Sequence, residues 1–151
     1  MLQKTLAKFG YPDSLVKEYA HWILLARDEQ LTLGSLILVS KEEVVVFPKL
    51  SEQSFCELHA IMKEIEAILE SLFTHDRINY LAFMMFNPLV HMSIIPRYAN
   101  DRVFNGIVFK DRSWPGLPNF TFVNPTDKEL HRKITLRLAS AFNKTNTQKK
   151  V

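Results

Sequence analysis

The sequence predicts an α+β domain, an antiparallel sheet with helices packed on one face. Three observations carry this. An apolar stripe at spacings of three and four runs through residues 51–73. Short runs of β-forming residues at 22–26, 32–39, 79–86 and 90–95 are bounded by Gly, Pro, Asn and charged residues. The turns between adjacent runs are tight, which favours antiparallel pairing over βαβ crossovers.

The elements follow in order. Asp13 can cap a short helix over 12–20, with Leu15, Val16 and Tyr19 on its apolar face. Trp22-Ile-Leu-Leu-Ala26 reads as a buried strand, and Arg27-Asp-Glu-Gln30 as a polar turn. A second strand at 32–39 is broken by Gly34, and 43–47 is extended up to Pro48. Ser51 is a good N-cap for the long helix, whose stripe is Phe55, Leu58, Ile61, Met62, Ile65, Ile68, Leu69 and Leu72. Two further strands at 79–86 and 90–95 are separated by Asn87-Pro88, and the second stops at Pro96. The text after Arg97 is irregular. A last helix over 126–142 rests on Leu130, Ile134, Leu136, Leu138 and Phe142, with Thr126 or Asp127 as cap. Residues 1–142 thus form one domain, and 143–151 a polar tail expected to fray.

Composition narrows the function. The chain has 151 residues, 47% hydrophobic and 23% charged, which excludes disorder and a cysteine-rich scaffold. The single cysteine, Cys56, excludes an internal disulfide and CxxC zinc sites and fits a reducing cytoplasm. The longest purely apolar run, 80–86, has seven residues against the roughly 20 of a spanning helix, so no membrane partner is expected. The N-terminus has no apolar segment after its lysines, so no signal peptide is expected. The net charge of +3 equals the contribution of Lys144, Lys149 and Lys150 in the tail. The basic balance is therefore no basic face, and nucleic acid is not expected as a partner.

Chemistry points to 89–97. On a strand, Leu89, His91, Ser93 and Ile95 share one face, and Val90, Met92 and Ile94 the other. An imidazole and a hydroxyl then sit two residues apart, and a neutral imidazole is both nucleophile and proton carrier. From spacing alone, a hydrogen-bonded structural role is the commoner one for a single strand histidine. His21, His59, His75 and His131 show no metal-ligand spacing, so neither metal nor cofactor is predicted. GxGxxG, P-loop and GxSxG patterns are absent. The carboxylate pairs Glu42-Glu43 and Glu64/Glu66 read as a solvated strand edge and helix face.

Val90-His-Met-Ser-Ile-Ile-Pro-Arg-Tyr98 resembles the histidine triad (HIT) motif, H-x-H-x-H-x-x-P-R. Residues 31–39, Ile78-Asn-Tyr80, Met84-Met85 and Trp114-Pro-Gly116 are similar to one bacterial subgroup of that superfamily. The resemblance covers roughly residues 10 to 140. It implies a homodimer, each subunit with about five antiparallel strands crossed by the long helix. It also implies nucleotide chemistry: the middle histidine attacks the α-phosphorus of a nucleoside phosphoramidate or dinucleoside polyphosphate, and a nucleotidyl-histidine forms.

Setting Pro96-Arg97 on the family's Pro-Arg places the three histidines at Leu89, His91 and Ser93. The resemblance thus makes His91 the nucleophile. Ser93 can still donate one hydrogen bond to phosphate but carries no charge, and Leu89 can do neither. Asn79 matches an asparagine that binds ribose or phosphate, and Arg27 falls near the family's ribose-binding acid. Asn87 lies in a shortened version of the loop that offers donors to the leaving group. Lys41 matches a lysine of the family, and Glu43 replaces a histidine there. Two functions follow: a hydrolase or transferase of the HIT type, or a nucleotide-binding HIT domain with weak or no catalysis. A vestigial site in an interaction protein is the third alternative.

Overall fold

The computed structural model describes residues 1–149. Its order is α1 (Leu2–Lys8), β1 (Leu15–Glu18), β2 (Trp22–Ala26), β3 (Leu36–Ser40), α2 (Glu52–Phe73), β4 (Arg77–Leu81), β5 (His91–Arg97), β6 (Arg102–Phe104), β7 (Ile107–Phe109) and α3 (Lys128–Lys149). β1 to β5 form one antiparallel sheet in the order β1-β2-β3-β5-β4. β6 and β7 are a separate hairpin.

The strand alternation sorts side chains into two layers. Trp22, Leu24, Leu36, Leu38, Met92 and Ile94 meet Ile61, Ile65 and Leu69 of α2 and Ile134, Leu138 and Phe142 of α3. Ile23, Leu25, Ile37 and Val39 face the other way, where Leu2, Leu6 and Phe9 cover them. The long helix and the C-terminal helix thus pack on one face, as expected, and α1 covers the other. α1 was not anticipated, although Leu2, Leu6 and Phe9 have helical spacing.

The helix expected over 12–20 is instead the strand β1: Val16 joins the α2 layer and Leu15 the α1 layer, a period of two. Pairing with β2 decides this, because a four-residue segment gains more from the ladder than from helical propensity. β3 starts at Leu36, since Gly34 takes φ +87° and turns the chain beside the Phe73 ring. Residues 43–47 are not extended throughout. They bend into one 3₁₀ turn, Phe47–Lys49, with Pro48 in its first turn. β4 ends at Leu81 because Met84 adopts φ +47°, and Phe83, Met85 and Phe86 are left 57%, 79% and 97% exposed. β5 runs through Pro96, past its last β3 partner Ile94. The irregular segment after Arg97 contains the β6–β7 hairpin, closed by Asn105-Gly106 at φ +52° and +77°. That dipeptide is a strong hairpin signal. Phe55 and Leu136, expected in the core, are exposed.

The long helix matches expectation, with the Ser51 side chain accepting from the Ser54 N–H. Asp127 accepts from the Leu130 N–H at the start of α3. α3 continues to Lys149, beyond Phe142 where it was expected to end. The frayed end expected over 143–151 falls in part on residues 150–151, which lie outside the described residues. Among the described residues no helix is long and apolar enough to cross a membrane.

The acid pair at 42–43 is more than a solvated edge. Glu42 accepts from the Ser51 N–H and from the Ser51 and Ser54 hydroxyls, and so caps α2 from outside the helix. Glu43 accepts from the Leu2 N–H at 2.6 Å and holds α1. The two serine hydroxyls hold the Glu42 carboxyl below the usual carboxylate range. A carboxyl lowered by folding stabilises above the ordinary range, and that contribution disappears as pH falls through the lowered value. Glu42→Gln is expected to lower the urea midpoint at pH 7 and to flatten its decline toward acid. Parallel urea titrations of both proteins across acidic pH check this, and identical slopes would count against it.

Candidate functional site

β5 presents His91 and Ser93 on the face away from α2, with Val39 and Ile37 directly across on β3. The His91 ring lies 5.5 Å from the ring of Phe9, the residue that ends α1, so the C-terminal end of α1 walls this face. His91 Nδ1 is 2.7 Å from the Leu89 carbonyl oxygen. A carbonyl only accepts, so in the neutral ring Nδ1 carries the proton and Nε2 keeps its lone pair. The Leu89 side chain is buried and offers no imidazole. Its main chain still sets the tautomer of His91.

Arg27 follows β2 and continues its alternation onto the same face. Its Nη1 donates to the Ser93 hydroxyl at 2.9 Å. Its main chain is held by Arg27 N–H to the Ser35 carbonyl, by Gln30 Nε2 to the Arg27 carbonyl at 2.6 Å, and by His131 Nε2 on that carbonyl at 3.2 Å. The guanidinium lies 5.3 Å from the Phe120 ring centroid, and Phe83 meets Phe120 edge to face at 5.8 Å. Burial pushes the Arg27 guanidinium down from its ordinary value, while Glu29 and Asp28 oppose that shift. A cavity of about 240 Å³ opens beside it, lined by Lys8, Phe9, Arg27, Asp28, Glu29 and Ile37.

The structure thus brings His91, Ser93 and Arg27 together. Asn79 lies further along the same face: its partner Ile95 is two residues along β5 from Ser93 and four from His91, roughly 7 and 13 Å by strand rise. Its Oδ1 accepts from Arg97 Nη1 at 2.8 Å. Arg97 also holds Asp111 through Nε at 2.6 Å and Nη2 at 3.1 Å, and donates to Ser113. Asn79 lines a separate cleft of about 700 Å³ against residues 114–118. Asn87 sits in the loop before β5 with its Oδ1 buried and without a partner. Phe9, Phe120 and His131 also shape the site and were not anticipated. Phe9 had a signal in the spacing of α1, whereas the other two meet Arg27 only through contacts distant in sequence.

The groove between α2 and α3, about 690 Å³, lies on the far side of the sheet and contains none of these residues. Among the described residues, no group of His, Cys, Asp and Glu could hold a metal ion.

No family model and no curated protein matches this sequence. Solved structures do match along its length. A histidine triad protein from Sinorhizobium meliloti is 19% identical, with a TM-score of 0.72 over 93% of this chain and 96% of that one. One from Marinobacter aquaeolei is 18% identical, with a TM-score of 0.73 over 95% and 96%. The diadenosine triphosphate hydrolase of Plasmodium falciparum is 12% identical, with a TM-score of 0.63 over 88% and 78%. The chain has the fold of these histidine triad proteins, the fold that the resemblance around Pro96-Arg97 implied.

Proposed function

We propose that the protein is a nucleotide hydrolase or transferase of the HIT type. The observation that carries this is the His91 ring, tied through Nδ1 to the Leu89 carbonyl so that Nε2 is free to attack. In the proposed reaction Nε2 attacks the α-phosphorus of a nucleoside phosphoramidate or dinucleoside polyphosphate. A P–N bond forms, and the bond to the leaving group breaks with its electron pair. The leaving group takes a proton from water. A second water then attacks the nucleotidyl-histidine, releasing the nucleoside monophosphate and returning the lone pair to Nε2. The chemistry uses side chains and water alone.

The second reading, a nucleotide-binding domain with little or no catalysis, is favoured by one observation: Leu89 is buried, and Ser93 stands where a second outer imidazole would be. Steady-state turnover on adenosine and guanosine phosphoramidates and dinucleoside polyphosphates separates the two. Release of nucleoside monophosphate from at least one class is expected. Binding without turnover across the panel would replace the first reading by the second.

A homodimer belongs to the same proposal. β4 is an outer strand whose free edge has no partner in the sheet, and the apolar loop beyond it, Phe83, Met85 and Phe86, is exposed. Light-scattering chromatography at micromolar protein is expected to give twice the chain mass. A mass of 17.6 kDa would refute the dimer.

A further inference from the structure

We propose that Arg27 binds the α-phosphate and supplies the positive charge that Leu89 and Ser93 do not. The inference rests on the reading of this face as a nucleotide site. It assigns the charge at the phosphorus to a residue from outside the motif.

The two guanidiniums on this face differ in one respect. Arg97 is balanced, held by both oxygens of a buried Asp111 and by Asn79 and Ser113. Arg27 is not. Its Nε is buried without a partner, and the nearest carboxylate oxygen, on Glu29, is 3.8 Å from Nη2 on a side chain 62% exposed. A guanidinium withdrawn from water without a close carboxylate is a charge that an incoming anion can neutralise. Its planar fork suits a phosphate group.

The surroundings aim this charge. The Ser93 oxygen accepts from Arg27, so the serine's own proton is directed elsewhere and is available to a phosphate oxygen. Phe120 covers the guanidinium and restricts its movement. The adjoining cavity shares Phe9 and Ile37 with the surroundings of His91 and Ser93. An α-phosphate held by Arg27 and Ser93 would meet His91 on the same face. As the Nε2–P bond forms and the leaving group departs with its electron pair, charge builds on the non-bridging oxygens. A fixed cation there stabilises the transition state.

Calorimetry with AMP and with adenosine, beside turnover of adenosine phosphoramidate, tests this on wild type, Arg27→Gln and Arg27→Lys. The wild type is expected to bind AMP more tightly than adenosine. Arg27→Gln is expected to lose AMP affinity on the order of 10-fold or more with adenosine unchanged, and kcat by roughly 10²–10³-fold. Arg27→Lys is expected to keep the preference for AMP and to lose at least about 10-fold in kcat, because an ammonium cannot hold Ser93 and phosphate as a fork does. Adding Ser93→His to Arg27→Gln is expected to restore part of the turnover. If Arg27→Gln does not fold, Arg27→Met, which likewise removes the charge, decides: wild-type kcat in that variant overturns the inference. So does a wild type that binds AMP no better than adenosine, or an Arg27→Gln that keeps AMP affinity and kcat within twofold. A preference for AMP that depends on Arg27, without turnover in any form, upholds phosphate binding by Arg27 and sinks the hydrolase reading alone.

Discussion

His91→Ala is expected to abolish turnover of the best substrate of the panel, by a factor on the order of 10⁴ or more. The size follows from the role. Removing a nucleophile deletes the covalent route itself, whereas removing a donor weakens one interaction in its transition state. The fold should survive. The His91 side chain is half-buried and contributes a bond to the Leu89 carbonyl and a ring contact with Phe9, whereas α2 and α3 pack on the opposite face. Equal melting temperatures with lost turnover fit the account, and equal turnover would sink the hydrolase reading.

Asp111→Ala is expected to cost about 3–5 kcal/mol of stability, because one partner of a buried pair is left as an uncompensated charge. The side chains of Arg97 and Asp111 are 4% and 2% exposed. Asp111 also accepts from the Tyr98 N–H, so its loss frees both the end of β5 and the segment leading to Trp114. Against a total of about 5–15 kcal/mol for a domain, the urea midpoint should fall by a large fraction. The double variant Arg97→Met with Asp111→Leu should recover much of the loss, since removing both charges leaves none unpaired. A loss below about 1 kcal/mol in Asp111→Ala would mean that the pair is not the clasp described. Arg97 secures the scaffold, whereas Arg27, with no such partner, is the residue proposed for phosphate.

What could be read from the sequence was what repeats locally. The stripe from Leu58 to Leu72 predicted α2 because each residue reports the same face, and Ser51 marked its start. Trp22–Ala26 predicted a buried strand because five apolar residues in a row leave no solvated face. That His91 and Ser93 share one face was legible from the alternation of a strand, which β5 displays.

Other features depend on partners far along the chain. Leu15 and Val16 fit a helix face as well as two sides of a strand, and only β2 decides. Phe83, Met85 and Phe86 look like core, yet the left-handed turn at Met84 puts them on the surface. The contact between Arg27 and Ser93 joins residues 66 apart in sequence, and no periodicity announces it. Asn79 was expected at the site through a resemblance, and the structure places its oxygen on Arg97.

The most direct test of the central claim, that His91 is the nucleophile, is intact-mass spectrometry after mixing the protein with an adenosine phosphoramidate and quenching in alkali, which spares a P–N bond to imidazole. A transient gain of one adenylyl group is expected, mapped by peptide analysis to His91 and absent from His91→Ala. Turnover that proceeds with no adduct, or with the adduct on another residue, would contradict it.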